Sequence, residues 1–424
     1  METLLHCVNT GTAATVPRSL RCLVLNRWDD EGASYHRYID HTVHKVAYIT
    51  KRNAVSRLRR DLAVCIEIVD NLDEQQSVFE AAQRCHATLG GVDLLIALSE
   101  FDLILAAELR AAFNIAGHKP DEIRRFRDKT VMKDIVAAAG LRVPAFVRLD
   151  DPQALESLLA TKGFPLMVKP RAGAASKGCY RIDSREALDQ TIQSVIPADC
   201  ECEEFVCGPI FHIDGIAQAG TLPFVKASRY INTCYDFAHG KPLGSVLLDP
   251  SDLNLSLQVF ARDCLTALNL TDGAFHLEVI KGKEGLYFLE VGARVGGGEI
   301  PFIIRDLYGI DLYDAWIGLQ FDRIPKVVEG SSTHPISGGF LLLPEPVGMR
   351  VVHINNPVGK IDGLYASVLP EVGHIFDGHG GYDLILGRFR FKAPSEYDVE
   401  QAINETLRRY EVRLEKVGSV SQLP

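Results

Sequence analysis

Residues 275–301 read FHLEVIKGKEGLYFLEVGARVGGGEIP, and they restrict the fold more than any other stretch. Two apolar runs, AFHLEVI and LYFLEVG, each carry one glutamate and are separated by a short Lys/Gly-rich connection. The pattern predicts a β-hairpin closed by the three-residue loop Lys283-Glu284-Gly285, with glycine at the left-handed position such loops need. Gly282 then faces Leu286, and Glu278 lies directly opposite Glu290. Directly opposed residues share one face of a sheet. Like charges there repel, and burying two unpaired carboxylates is costly. A cation between them resolves the conflict, and oxygen-only donors suit Mg²⁺. The alternative is two surface glutamates, each paired with a lysine. His276, Ile280 and Phe288 are expected on the glutamate face, and the two apolar members argue against full exposure. Leu277, Val279, Leu289 and Val291 are expected on the core face.

A chain of 424 residues exceeds one ordinary domain, so two or three are expected. The net charge of −10 leaves no general footprint for nucleic acid or an anionic membrane. No apolar run approaches the roughly 20 residues of a spanning helix. The N-terminal residues lack a charged-then-apolar secretory pattern. Cys200, Cys202 and Cys207 cluster without zinc-type spacing or a histidine partner, so reduced thiols in a cytoplasmic protein are expected.

Strand-like runs at 21–26, 45–50, 65–69 and 92–98 alternate with helix-like stretches at 53–62 and 77–90. This predicts a parallel α/β sheet. Residues 27–41 follow the first strand, where such folds place ligand loops. A boundary is expected near 118. Residues 119–144 give two helices, the second ending at Gly140 with Pro144 beyond. Strands and short helices alternate over 145–207, longer antiparallel strands over 208–322. Residues 330–424 give short strands and a final amphipathic helix.

FPLMVKPRAGAASKGCYRI, at 164–182, ends a strand in Lys169-Pro170 and continues through small residues to Gly178. Small residues let backbone N–H groups approach an anion, and Lys169 favours phosphate over a plain surface turn. The loop is neither a Walker A loop nor a dinucleotide fingerprint. Lys129 by itself reads as a solvated helix lysine. CECEEFVCGPIFHIDGIA, at 200–217, reads as a crossover between two lobes, either a plain linker or an apolar hinge offering backbone groups to a purine edge.

In their order and spacing these pieces resemble the ATP-grasp superfamily of carboxylate–amine ligases. Lys129, Lys169, the loop 173–178, the EEFV hinge (203–206), Glu278, Glu290 and Arg294 carry the resemblance, which covers about 119–322. The form EVGARVGGGEIP is most similar to the amino-acid ligase branch, which makes dipeptides and related amides, often in secondary metabolism. The resemblance implies a multidomain α/β and α+β architecture: a Rossmann-like α/β domain (1–118), an ATP-grasp domain (119–329, with a mobile lid at about 145–207) and a C-terminal subdomain (330–424) that closes over the site. It implies ATP and Mg²⁺ as cofactors, with Mn²⁺ as an alternative ion, amino-acid or carboxylate substrates, and homodimerisation as a common state.

Residue by residue, it implies that Lys129 and Lys169 hold ATP phosphates. Ser176, Lys177 and Gly178 form a flap over the β- and γ-phosphates. Glu203 accepts from the adenine amino group and the Val206 backbone meets the ring. Glu278 and Glu290 bind the metal, and Arg294 neutralises charge at the γ-phosphoryl group. Gly296, Gly297 and Gly298 keep the backbone close to the acyl group. Two positions depart from the family pattern. Gly292 stands where many members have a metal-binding asparagine, and Ile210 where many have a ribose-binding glutamate. His212, on the same face as Ile210, is the substitute expected for the sugar. The implied reaction activates a carboxylate as an acyl phosphate, which an amine then attacks, releasing ADP and phosphate. Carboxylase or purine-biosynthesis chemistry, a non-catalytic ATP-binding module and a structural protein are the alternatives.

Overall fold

The structure is a computed structural model, and it describes residues 18–29, 31–323, 336–382 and 385–417. The expected boundary at 329/330 and the N-terminal segment before residue 18 lie outside the described residues. The chain divides into two compact units, residues up to Ala97 with Leu109–Gly117, and Leu98–Glu108 with His118 onward.

In the first unit, β1 (Arg21–Asn26), β2 (Lys45–Lys51), β3 (Cys65–Val69) and β4 (Leu94–Ala97) form a parallel sheet in the order β3-β2-β1-β4. The run VAYI is buried throughout, as expected for a strand covered on both faces. Helix Gln75–Leu89 buries Val78, Ala81, Ala82, Cys85 and Leu89 and stops at Gly90, which is left-handed at φ 70°. The helix expected at 53–62 is instead a 3₁₀ turn, Arg52–Arg57.

The second unit holds two sheets relevant to the site. A small one pairs β5 (Phe146–Arg148), β6 (Leu166–Pro170), β7 (Tyr180–Ile182) and β8 (Cys200–Glu204) in the order β5-β8-β6-β7. Its core face buries Leu166, Val168, Ile182, Cys200 and Cys202. These two cysteines are therefore apolar filling, and the described cysteines are free thiols. The large sheet contains β9 (Ile210–Gln218), β10 (Thr221–Ile231), β11 (Leu243–Leu247), β12 (Gly273–Gly282), β13 (Gly285–Gly292), β14 (Ser337–Leu343), β16 (Leu364–Val368) and β17 (Gly387–Ala393). Its order is β13-β12-β9-β10-β11-β14-β17-β16, with antiparallel neighbours throughout. β15 (Met349–Ile354) and β18 (Val412–Lys416) pair separately.

One face of the large sheet packs Phe211, Phe275, Leu277, Val279, Phe288 and Val291 against helices Lys129–Ala138 and Asp252–Leu268. Each large side chain buried there contributes about 1.5–3 kcal/mol. Part of the other face packs against helices Ile300–Tyr308 and Leu312–Gln320.

The hairpin register agrees with expectation at the glutamates and departs from it beyond them. Glu278 pairs with Glu290, but a register shift follows, so that Val279 pairs with Phe288 and Gly282 with Gly285. The loop is thus the two residues Lys283-Glu284, with Gly285 at φ 124°. The extra residue on β13 reverses the expected facing. Phe288 is fully buried in the core, and Leu289 turns toward the cavity described below. A bulge exchanges faces because side chains alternate with a period of two.

Candidate active site

Within the second unit, a cavity of about 260 Å³ is lined by residues of the small sheet and the glutamate face of the large one. Lys129, Lys169, Ser176, Lys177, Glu203, Val206, Glu278 and Glu290 all line it. Gly178, His212 and Arg294 do not.

Lys129 opens helix Lys129–Ala138, where Asp128 caps the N-terminus through Thr130 N and Val131 N. A lysine there opposes the helix dipole. It is held by Glu290, 2.8 Å from its Nζ, and donates to Gly173 O at 2.9 Å. One turn on, Lys133 is fully buried. Its Nζ lies 2.7 Å from Glu201 Oε1 and also contacts Glu203 Oε2. Lys169 meets Glu203 Oε1 at 2.7 Å and Glu201 Oε1 at 3.6 Å. The β6–β8 register sets Lys169 opposite Glu201 and Met167 opposite Glu203, which puts both glutamates on the lysine face. Two lysines and two glutamates thus form one neutral buried cluster, the condition under which buried charge is tolerated. Burial alone would lower Lys169, but Glu203 and Glu201 hold it raised. Burial would raise Glu203, and Lys133 and Lys169 instead hold it below the usual carboxylate range.

The loop after β6 closes on itself through Lys177 N→Ala174 O (3.2 Å) and Cys179 N→Ser176 O (3.3 Å). Ala175 and Ser176 take φ 54° and 53°, a left-handed conformation uncommon outside glycine. Gly178, at φ 71°, is also left-handed, and a Cβ there would press against the Pro170 ring at 3.1 Å. The turn presents Ser176 and Lys177 to the cavity.

On the floor, Tyr230 Oη donates to Glu278 Oε1 at 3.0 Å, and the second oxygen of Glu278 has no hydrogen-bond partner among the described residues. Burial would raise Glu290, but Lys129 and Lys169 bring it down to about 2. Two carboxylates, opposed on adjacent strands and open to one cavity, form a hard oxygen donor set of the kind Mg²⁺ takes.

His212 departs from the expectation that it meets a sugar. Its Nδ1 lies 2.5 Å from Asp214 Oδ2 and its Nε2 2.7 Å from Ser245 Oγ, and the residue is 2% exposed. Both ring nitrogens are engaged away from the cavity, which Ile210 lines instead. His276 Nδ1 meets the other oxygen of Asp214 at 2.8 Å. Burial would lower His276, but Asp214 raises it to about 9. The ligating atoms of His212, Asp214 and His276 fall within 4.8 Å of one another. All three are buried, and a Cβ at Gly296 would lie 2.4 Å from Asp214 Oδ1. This explains the glycine at 296: the backbone crosses directly above a buried carboxylate.

Arg294 bonds Glu100 through Nε and donates from Nη1 to Val295 O at 2.9 Å. Burial works against its charge, and Glu100 more than compensates. Glu100 also meets Arg127, whose Nη2 donates to Ala172 O at 2.7 Å.

Sequence reasoning missed Lys133, Glu201, Glu100 and Asp214. Lys133 stands four residues after Lys129 and Glu201 two before Glu203, so helical and strand periods carried a signal for both. Glu100 is about 190 residues from Arg294 and left no local signal.

No protein-family profile matches the chain. It is 22% identical to an L-arginine-specific L-amino acid ligase of Bacillus subtilis, over 95% of this chain and all of that protein. It is 24% identical to dapdiamide A synthase of Enterobacter agglomerans over 56% of this chain and 60% of that protein. Among solved structures, the L-amino acid ligase from Bacillus licheniformis superposes with a TM-score of 0.75 at 17% identity, covering 95% of this chain and 100% of the other. The end-to-end alignment and the superposition agree with the residue pattern, and the chain shares the fold of an L-amino acid ligase.

Proposed function

We propose that the protein is an ATP-dependent carboxylate–amine ligase that joins an amino-acid carboxylate to an amine, in the manner of a dipeptide synthetase. The observation that carries this reading is the pairing of Glu278 with Glu290 on the floor of a cavity that Lys129 and Lys169 also line. In this reading Lys129 and Lys169 hold the ATP phosphates, and Ser176, Lys177 and Gly178 cover them. Glu203 accepts from the adenine amino group, and the Val206 backbone meets the ring. Glu278 and Glu290 hold Mg²⁺, which when bound supplies charge neutralisation at the phosphates. Arg294 offsets the charge that develops as the γ-phosphoryl group passes to the carboxylate, and the protein mainly positions reactants for this step. The amine then displaces phosphate from the acyl phosphate. The alignments with an L-amino acid ligase and a dapdiamide synthase support amide formation over other uses of the fold.

The test is product analysis after incubation with Mg-ATP and amino acids, singly and in pairs. ADP, phosphate and a new amide mass are expected. AMP with pyrophosphate, or ADP formed only with bicarbonate, would overturn the assignment.

A further inference from the structure

Gly292 follows the second metal-type glutamate by two residues, and the space a side chain would take there is filled. A Cβ at 292 would lie 3.0 Å from Glu100 Oε2 and 3.4 Å from both Cγ and Nε of Arg294. Glu100 sits in the 3₁₀ turn Glu100–Asp102, remote in sequence from Gly292. Its two oxygens divide their work. One accepts from Arg294 Nε, the other from Arg127 Nη1. All three side chains are largely buried, at 13%, 20% and 6% exposure for Glu100, Arg294 and Arg127. The second arm continues to the phosphate loop, because Arg127 Nη2 holds the carbonyl of Ala172 at its root.

We propose that Glu100 is a positioning residue for Arg294 and that glycine at 292 is the space this requires. A guanidinium has five donors in one rigid plane. Glu100 takes the Nε–H and Val295 O takes one from Nη1, so the plane is fixed and the Nη2 donors are fixed with it. Preorganised donors stabilise developing charge without reorganising during the reaction. The Arg127 arm ties that plane to the base of the loop bearing Ser176 and Lys177. The consequence for turnover rests on the ligase reading above; the geometry does not.

Two measurements separate them. In the first, Glu100→Gln keeps the shape and removes the charge. It is expected to lower kcat about 10- to 100-fold, within the range for lost charge-stabilising groups, while KM for ATP and for the amine stays within about threefold. Glu100→Gln in the Arg294→Ala background is expected to add less than about twofold, because the two act as a unit. Gly292→Ala is expected to mimic Glu100→Gln by displacing the carboxylate, and it serves if the first variant folds poorly. An unchanged kcat in Glu100→Gln, or independent effects that multiply, overturns the proposal. A selective rise in the amine KM also overturns it, by placing Glu100 on the substrate. In the second, ¹⁵N spectra follow the Arg294 Nε–H. Slow solvent exchange in the wild type, lost in Glu100→Gln, is expected whether or not any amide forms. Fast exchange in the wild type overturns the positioning geometry itself. A protected Nε–H in a protein that makes no amide keeps the geometry and removes only the ligase reading.

Discussion

Replacing Lys133 by methionine would test whether the buried cluster behind the cavity is a single electrostatic unit. Lys133 and Lys169 balance Glu201 and Glu203, and Lys133 has no exposed surface. Methionine keeps the volume and removes one charge, leaving the cluster with a net negative charge. Removing one partner of a buried pair costs about 3–5 kcal/mol. Spread over a unit of about 300 residues, that lowers Tm by about 5–7 °C. The penalty should carry a pH signature. A buried cluster with an excess carboxylate takes up a proton on folding, so its folded pKa lies above the unfolded value. Stability is then greatest below the unfolded pKa and falls as pH rises toward the folded one. The Lys133→Met deficit should therefore shrink between pH 8 and pH 5, and adding Glu201→Gln should restore much of it at pH 8. Urea unfolding at the two pH values reads both effects. A loss below about 1 kcal/mol that does not change with pH would show that the charges are independently solvated, and the reasoning would fail.

Three further outcomes follow from the geometry. Phe288→Ala should cost about 3–5 kcal/mol, as for a buried aromatic, whereas Leu289→Ala should cost less and raise the KM for ATP; the reverse ranking in urea melts and kinetics would contradict the bulge. His212→Ala should destabilise by about 1–3 kcal/mol by leaving Asp214 and Ser245 short of a partner, with KM for ATP unchanged within about twofold; a tenfold rise would return His212 to the nucleotide. Glu290 is lowered from its ordinary 4.5 to about 2, so its pairing contributes stability above about pH 4.5 that is lost as pH falls toward 2. Lys129→Met should flatten the acid side of the stability profile, and an unaltered acid limb would count against the pair.

What could be read from the sequence was short-range or periodic. The glutamate-bearing hairpin follows from two apolar runs and a glycine-bearing turn, although the bulge is what sets Glu278 opposite Glu290, and the strand pattern identified the parallel sheet near the N-terminus. The order of Lys129, Lys169, the small-residue loop and the hinge carried the resemblance, and the structure brings all four to one cavity. Tertiary structure decided where periodicity could not reach. The bulge that exchanges Phe288 and Leu289 costs one residue of register, and the alternation of the run is the same with or without it. Lys133 and Glu201 are ordinary charges until packing buries them together. His212 shares its strand face with Ile210, but the row of side chains across β9, β11 and β12 gives its nitrogens to Ser245 and Asp214 instead. Glu100 reaches Arg294 and fills the space at Gly292 only because folding brings distant segments together. Local chemistry fixes which groups a strand or loop can present, while long-range packing alone fixes which partner neutralises each one.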